Sequence, residues 1–486
     1  MASIRKLASQ TAYYGLSSII GRMVNFLMVP IYVNQFAKWE YGILSTLLAY
    51  TSVLLVMISF GMETAFFRFA SNKENSGIAY SQSFVTVGFF SLIFGLFGLV
   101  SHDTIANWLD YSQYSGLIML LTGTIVLDTL SMIPMAKLRY NEQPRRYAAI
   151  SLFNIFTNIS LNLLFIFVFN MGISGVFWAY FFASGIKLGM SLYGNLPPTL
   201  KPEFSLMRDM MGFGSLIMIA GLAGTLNENL DKILLGFLWP DGQEYHGVSM
   251  RAAEMTGEYA ACYKLAMFIA LITQAFRYAA EPFFFRHAEE KNSGPTFARV
   301  FHYFISVCLI VFLMISSFSK EIVSFNLFGL LHKTLIPKSY WGGLEIVPII
   351  LLANIFLGAY INLSIWYKIT RQARFGILFS GMGALLTLII NIFTIPVWGY
   401  MGSAWATLIC YAAMAIVCYW VGQHYYPIPY RLERLAFYFV LSLLILQINQ
   451  SNEENVLFKI FTTVGFVGVV FFVERKRPLS FSSSND

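Results

Sequence analysis

Charged side chains interrupt several of the long apolar stretches in this sequence. A charge inside the hydrocarbon of a membrane is unfavourable, so each such residue needs a partner, a polar cavity or a functional role. Arg and Lys pair strongly with phosphate oxygens, and a cavity that contains them suits an anionic ligand. The residues predicted to line such a cavity are Arg22, Asn25, Asp128, Lys187, Lys264 and Arg277. The residues predicted to couple an ion or to act in gating are Glu63, Glu228, Asp231 and Glu281.

Arg22 is the cavity residue with the most specific prediction. It lies about ten residues into the first apolar stretch, roughly 15 Å along a helix, which places it near the middle of a bilayer. Gly15, Ser18 and Asn25 share its helical face and would give it a polar surrounding. We expect Arg22 to hold the anionic head of a substrate. The alternative is a closed salt bridge with an acid such as Asp128.

The acids near helix ends allow more than one role. Glu63 and Glu281 lie near the cytoplasmic ends of their segments, where Arg68 and Arg286 favour local ion pairs or gate contacts over substrate binding. Asp231 lies near the outer end of its segment, so a solvated or interfacial position and a functional one both stay open.

An asparagine stripe marks the fifth apolar segment, where Asn154, Asn158 and Asn162 recur every four residues. Residues at this spacing share one helical face. The stripe either lines a cavity or bonds one helix to another, and we favour the second role.

The composition places the chain in a membrane. Hydrophobic residues make up 57% of the sequence, charged residues only 12%, and the mean hydropathy is +0.63. The net charge of +7 comes from basic residues spread over many short loops, so no nucleic-acid partner is expected. The six histidines and four cysteines show no metal-ligand spacing, and no phosphate-binding Gly-rich motif occurs. We expect no catalytic residue, metal or cofactor, with coupling to H⁺ or Na⁺ left open.

The positions of the apolar segments predict an all-α polytopic membrane protein. About 20 residues are needed to cross the hydrocarbon as a helix. Fourteen segments qualify: 12–33, 43–62, 80–100, 114–136, 147–169, 173–193, 212–237, 258–280, 300–325, 345–366, 375–396, 402–422, 432–449 and 456–473.

Loop charges predict the orientation. The loops on one side carry most of the Lys and Arg, including Lys137, Arg145 and Arg374. The other side carries few, chiefly Lys38, Arg251, Lys320, Lys333 and Lys338. Since basic loops stay inside, both termini are predicted to be cytoplasmic, as an even number of helices requires.

An internal duplication organises the chain. The step from Glu40 to Glu63 and the step from Glu258 to Glu281 are both 23 residues. A second set recurs with identical spacing: Gly172, Gly175, Trp178 and Ala179 return as Gly399, Gly402, Trp405 and Ala406. Because each copy starts from the cytoplasm, we predict two parallel six-helix repeats, a pattern typical of transporters.

The duplication divides the chain into four parts. Residues 1–195 form an N-terminal lobe of helices one to six, and 196–211 a cytoplasmic linker containing prolines that stop a helix. Residues 212–424 form a C-terminal lobe of helices seven to twelve. Residues 425–486 carry two additional helices and a polar tail.

The sequence resembles the Wzx-type polysaccharide and O-antigen flippases of the multidrug/oligosaccharidyl-lipid/polysaccharide flippase superfamily. The residues that carry the resemblance are Arg22 with Pro30-Ile31-Tyr32, Glu40-Tyr41-Gly42, Asp231-Lys232-Ile233-Leu234-Leu235-Gly236 and Glu258-Tyr259. The resemblance implies a two-lobed bundle whose central cavity opens alternately to each side. It also implies that helices thirteen and fourteen form a groove for a lipid tail, as in related lipid-intermediate flippases.

The cargo implied by the resemblance is an isoprenoid-pyrophosphate-linked oligosaccharide, moved across the bacterial cytoplasmic membrane. Expected partners are the lipid bilayer, this substrate and other polysaccharide-assembly proteins. A cation-coupled multidrug exporter is the main alternative, although it would require acids facing the cavity. A membrane polysaccharide polymerase or ligase fits less well, because the outer loops Trp239 to Thr256 and Ser319 to Leu344 are modest in length.

Overall fold

A computed structural model describes residues 21, 23–24, 26–70, 76–245, 247–287, 293–326, 333–370, 372 and 374–476. The chain divides into two compact units, Met1–Gly257 (unit 1) and Glu258–Asp486 (unit 2). Long helices dominate both, since in hydrocarbon every backbone N–H and C=O must be bonded within its own segment. The lobe and linker boundaries predicted from the repeat are a separate division and stay a prediction.

Unit 1 contains eight helices and the start of a ninth in the described residues. They are α1 (26–35), α2 (Lys38–Ser59), α3 (Met62–Phe69), α4 (Ser76–Trp108), α5 (Ser115–Tyr140), α6 (Pro144–Leu163), α7 (Gly172–Leu192), α8 (Phe204–Leu238) and α9 (Ala252–His287). Between α8 and α9 lies a hairpin of β1 (Gln243–Tyr245) and β2 (Val248–Met250), paired antiparallel with Glu244 opposite Ser249.

Unit 2 holds most of α9 and the remaining helices. These are α10 (Ser293–Ser317), α11 (Ser319–Ser324), α12 (Ile346–Leu363), α13 (Ile365–Ile369), α14 (Arg374–Tyr425), α15 (Leu432–Ser451) and α16 (Val456–Lys476).

Twelve helices in the described residues are long and apolar enough to cross a membrane. One of them, α14, has 52 residues and a non-helical backbone at Gly399, with φ 51° and ψ −135°. Fifty-two residues would extend roughly 78 Å as one helix, so α14 supplies two crossings. Counting α14 as two, the described residues hold thirteen candidate crossings, and the first predicted segment, 12–33, lies partly outside them. The predicted all-α polytopic fold is confirmed.

An aromatic cluster in unit 1 packs α3, the start of α4 and the end of α5 together. Phe66 and Tyr80 are buried there with Met210 of α8. The Lys137 Nζ lies 5.5 Å from the centre of the Tyr80 ring, and the Tyr140 hydroxyl donates a hydrogen bond of 2.7 Å to the carbonyl oxygen of Ala70. Aromatic faces attract cations, so these contacts hold the basic loop against the helix bundle.

Polar contacts fasten α15 and α16 to α10 and α11 at both ends. At one end, the Glu474 Oε1 lies 2.9 Å from the Nε2 of His302 and accepts a hydrogen bond of 2.8 Å from the Tyr438 hydroxyl. At the other end, the Lys459 Nζ donates to the Glu321 Oε1 at 2.6 Å. The Lys459 side chain is only 4% exposed and the Glu321 side chain 31% exposed, so the pair is partly buried with its cation on the inside.

Candidate functional site

The clearest intramembrane ion pair joins α5 to α7 in unit 1. The Lys187 Nζ lies 3.1 Å from the Asp128 Oδ1, with side-chain exposures of 24% and 25%. Asp128 is halfway along α5, so we name these two residues the midspan pair. Both were predicted to line a cavity, and the structure brings them into contact with each other.

Close packing of α5 on α7 positions the midspan pair. A Cβ added at Gly123 would lie 2.7 Å from the Phe181 ring, and one added at Gly185 would lie 3.8 Å from Leu127. Glycine therefore lets the ring of α7 approach the backbone of α5 one turn before Asp128. Lys187 follows Gly185 by two residues on α7, and at this close helix spacing its side chain reaches the Asp128 carboxylate.

Glu63 forms a salt bridge with Arg139, which ties the start of α3 to the end of α5. The expected local pair with Arg68 does not form in the structure. Residues five apart on a helix point to different faces, and Arg68 instead lies over the Phe213 ring at 4.2 Å.

Glu281 makes the corresponding contact in unit 2. The Lys368 Nζ donates to its Oε1 at 2.6 Å, tying the end of α9 to the end of α13. We name this contact and the Glu63–Arg139 salt bridge the end pairs. Each end pair lies inside one compact unit, so its geometry suits a brace that keeps that unit rigid.

A buried ion pair lies near the outer end of α8. The Lys232 Nζ is 3.1 Å from the Asp231 Oδ1 and 3.2 Å from the Oδ2, and both residues are buried. Asp231 is therefore not solvated, and an interfacial position and a functional role both stay open. Glu228 is exposed, and its carbonyl oxygen lies 3.4 Å from the same Nζ.

Two further residues predicted to line the cavity, Lys264 and Arg277, lie on α9. Lys264 is half-buried in α9, and Arg277 is exposed on the same helix. Arg22 and Asn25 lie outside the described residues, so the predicted role of Arg22 stays a prediction.

The asparagine stripe bonds helix to helix, as favoured from the sequence. The Tyr32 hydroxyl of α1 donates to the Asn162 Oδ1 of α6 at 3.0 Å, and both residues are buried. The Asn162 Nδ2 donates to the Asn158 carbonyl oxygen at 2.8 Å. The spacing of the stripe predicted the acceptor, whereas nothing in the sequence singled out Tyr32.

The described residues contain no group of three or more His, Cys, Asp or Glu that could hold a metal ion. All four cysteines are buried as free thiols. The chemistry of the site therefore rests on ion pairs and hydrogen bonds.

The fold is similar to that of solved flippase and multidrug transporter structures. The lipid II flippase MurJ, in an inward closed conformation, aligns at a TM-score of 0.74 with 14% identity, over 94% of this chain and 98% of that chain. An inward-facing multidrug resistance MATE transporter of the MOP superfamily aligns at 0.64 with 12% identity, over 85% and 95%. The Vibrio cholerae MATE transporter VcmN, as a mutant, aligns at 0.58 with 14% identity, over 87% and 98%. The chain therefore shares the fold of these flippase and MATE structures.

The amino-acid sequence also matches a known protein family. A family model described as polysaccharide biosynthesis protein matches residues 7–287, which is more than half of the chain. The protein belongs to this polysaccharide biosynthesis family. None of the curated proteins matches the sequence.

Proposed function

We propose that this protein is a flippase that moves an isoprenoid-pyrophosphate-linked oligosaccharide across the bacterial cytoplasmic membrane by alternating access. The observation that carries the proposal is membership of the polysaccharide biosynthesis family on a fold shared with the lipid II flippase MurJ. Both termini then lie in the cytoplasm, as the loop charges predict.

The charges of the described spans favour an anionic cargo over a cationic drug. Four of the five candidate acids, Glu63, Asp128, Asp231 and Glu281, contact a Lys or Arg side chain, whereas Glu228 is exposed. An exporter of organic cations needs a carboxylate that the cation can neutralise, and at these four positions a basic side chain already pairs with the carboxylate.

Lys187 is the residue that we assign to the pyrophosphate. It is held 3.1 Å from one carboxylate oxygen of Asp128 and is 24% exposed, so it can exchange this partner for a phosphate oxygen without being desolvated again. Asp128 keeps the ammonium group charged and oriented until the cargo arrives. Arg22, Asn25, Lys264 and Arg277 are proposed to complete the cavity.

A groove in unit 2 suits the isoprenoid tail. Its volume is about 250 Å³, and it is lined by α10, α12 and α15, with Ile305, Ile355, Leu435 and Phe439 among the lining residues. A hydrocarbon chain is stabilised by about 0.8 kcal/mol for each CH₂ group that it buries. Of the two helices predicted to form a groove for the tail, α15 lines this apolar groove, which supports a role for α15 in holding the tail.

Deleting the gene and tracing the lipid-linked oligosaccharide tests the function. Accumulation in the cytoplasmic leaflet, reversed by the wild-type gene, is the expected result. Resistance to organic cations such as ethidium should stay unchanged. A deletion strain that displays its surface polysaccharide normally, or one that only becomes sensitive to ethidium, would refute the flippase and favour the exporter.

Thiol labelling in intact cells tests the orientation. Cysteine introduced at Asn452 should react with a reagent that does not cross membranes, and cysteine at Asn141 should not. Both positions are exposed, so access depends only on the side of the membrane. Labelling of residue 141 from outside would invert the assigned direction of transport.

A further inference from the structure

Unit 1 contains a second polar site, at the end opposite Glu63 and Arg139. A pocket of about 570 Å³ lies where α2 begins, α4 ends and α8 leads into α9. Its volume falls in the range of sites that bind small molecules. The loops that form it all belong to the side with few basic residues, which the orientation rule assigns to the outer face.

Aromatic side chains form part of the pocket wall and are held in place. Trp39 and Tyr114 pack with ring centres 5.8 Å apart at an angle of 54°. Trp239 is buried, and its Nε1 donates to the Met250 carbonyl oxygen of β2 at 3.1 Å. The hairpin thus fixes the ring of Trp239, while the rings of Trp39 and Tyr114 pack against each other near the start of α2.

Polar groups of both hydrogen-bonding types complete the lining. Asp110 and Asp241 supply carboxylate oxygens, and Arg251 and Gln113 supply N–H donors. The Asp241 Oδ1 accepts the backbone N–H of Ala252 at 2.6 Å, which fixes that carboxylate at the start of α9. All four of these lining side chains belong to exposed residues, so they are open to a ligand from solution.

The backbone at Asp110 is unusual in a way that fits a binding site. Its φ of 58° lies in the left-handed region, which a residue other than glycine adopts at a free-energy cost of about 1–2 kcal/mol. The conformation turns the chain directly after α4, so that residues 110 to 114 face the pocket. Strained backbone of this kind is often found where side chains must be aimed at a ligand.

We propose that this outer pocket binds a sugar unit of the oligosaccharide after it has crossed the membrane. The inference rests on the proposed function for the origin of the sugar. A sugar ring presents C–H groups that pack on the electron-rich face of an aromatic ring, and hydroxyls that need donors and acceptors together. Trp39 and Tyr114 supply the faces, Asp110 and Asp241 the acceptors, and Arg251 a donor.

The set of hydrogen-bonding groups in the lining, rather than its net charge, favours a sugar over an organic cation. Aromatic rings beside carboxylates also attract quaternary ammonium groups. The lining, however, combines the carboxylates of Asp110 and Asp241 with the donor groups of Arg251, and one Asp241 oxygen also accepts a backbone N–H. A neutral ligand rich in hydroxyls uses all of these groups, whereas a cation uses only some.

Saturation-transfer NMR on the purified full-length protein tests the pocket. The probes are the methyl glycosides of glucose, galactose, N-acetylglucosamine and rhamnose, with tetramethylammonium as a competing probe. At least one glycoside should bind. Trp39→Ala and Arg251→Gln should each weaken that binding about fivefold or more, which corresponds to roughly 1 kcal/mol.

Two controls keep the outcome clear. Trp39→Phe retains an aromatic face and should keep most of the binding, which separates a lost contact from a misfolded protein. Trp398→Ala removes an exposed ring from α14, 56% accessible, and should leave binding unchanged. No binding of any glycoside by the wild type, equal binding by both pocket variants, or binding of tetramethylammonium alone would each overturn the proposal.

Binding and transport give separate results. If the protein binds glycosides but its deletion leaves the polysaccharide pathway intact, the proposed sugar site is supported and the proposed flippase function is refuted. If the protein flips its substrate but binds no glycoside, only the proposed sugar site is refuted.

Discussion

The two units carry ion pairs in similar places at their ends but differ in the middle of the membrane. In unit 1 an acid of α3 meets a base at the end of α5, and in unit 2 an acid of α9 meets a base at the end of α13. The acids, Glu63 and Glu281, were matched by the sequence repeat. Their partners, Arg139 and Lys368, were found only in the structure.

Among the described residues of unit 2, no ion pair stands at the positions that correspond to the midspan pair. Counting back equally from the two end pairs, the position of Asp128 corresponds to Leu357. Counting forward from the matched Gly172 and Gly399, the position of Lys187 corresponds to Met414. An ion pair that occurs in both units is expected to stabilise the fold that the two units share. An ion pair that occurs in one unit only is expected to have a role specific to that unit. This asymmetry favours substrate binding at Lys187 and bracing at the end pairs.

The largest effect is expected from giving unit 1 the residues of unit 2. The double variant Asp128→Leu with Lys187→Met should fold, because two apolar side chains suit a membrane interior, and it should lose at least about tenfold in transport, roughly 1.4 kcal/mol. Transport is measured as reversal of lipid-linked oligosaccharide accumulation in the deletion strain. Abundance is measured in the same membranes.

The single variant Lys187→Met separates a structural role of the midspan pair from a role in transport. Lys187→Met leaves a carboxylate without its cation and should lower abundance as well as transport, by about 1–3 kcal/mol in stability. If the double variant regains abundance and also transports normally, the midspan pair is structural and the proposed role of Lys187 is wrong.

An intermediate effect is expected at the matched glycines. Gly172 has a φ of 57° and open space around it, so alanine there should destabilise the protein by about 1–2 kcal/mol. Gly399 combines φ 51° with ψ −135°, a region almost confined to glycine, and Gly399→Ala should destabilise by about 2–3 kcal/mol. Thermal unfolding of the purified variants measures both. The control is Gly224→Ala in α8, where nothing lies within 4 Å and a slight gain in stability is expected.

The smallest effect is expected at the end pairs, where it should be equal in both units. The side chains of Glu63 and Glu281 are 31% and 40% exposed, and ion pairs this open contribute about 0–1 kcal/mol. Glu63→Gln and Glu281→Gln should therefore lower the melting temperature slightly and leave transport nearly unchanged. A much larger loss of transport in one of them would show that this pair gates the cycle.

The sequence predicted the helices well because their signal is local. Length and hydropathy located α5 and α7 within four residues of their ends, whereas α4 continues eight residues past the predicted end at 100. The break at Gly399 was also predicted, as the gap between segments 375–396 and 402–422. Each of these features depends on a stretch of chain that can be read by itself.

The partners of the charged residues could not be predicted in the same way. Glu63 lies 76 positions before Arg139 and five before Arg68, and sequence proximity pointed to the nearer residue. Which helices are neighbours depends on packing between distant segments, which no local pattern records. The outer pocket was missed for the same reason, since Asp110 and Arg251 come from loops far apart in the chain.

The polar contacts that fasten α15 and α16 to α10 have a consequence for motion. With His302 bonded to Glu474 at one end and Lys459 to Glu321 at the other, the last two helices cannot slide or swing against α10 and α11 without breaking these polar contacts. A lipid tail lying in the adjoining groove would therefore be carried along whenever this part of the molecule shifts. The oligosaccharide head could change sides of the membrane while its tail stays attached throughout the turnover.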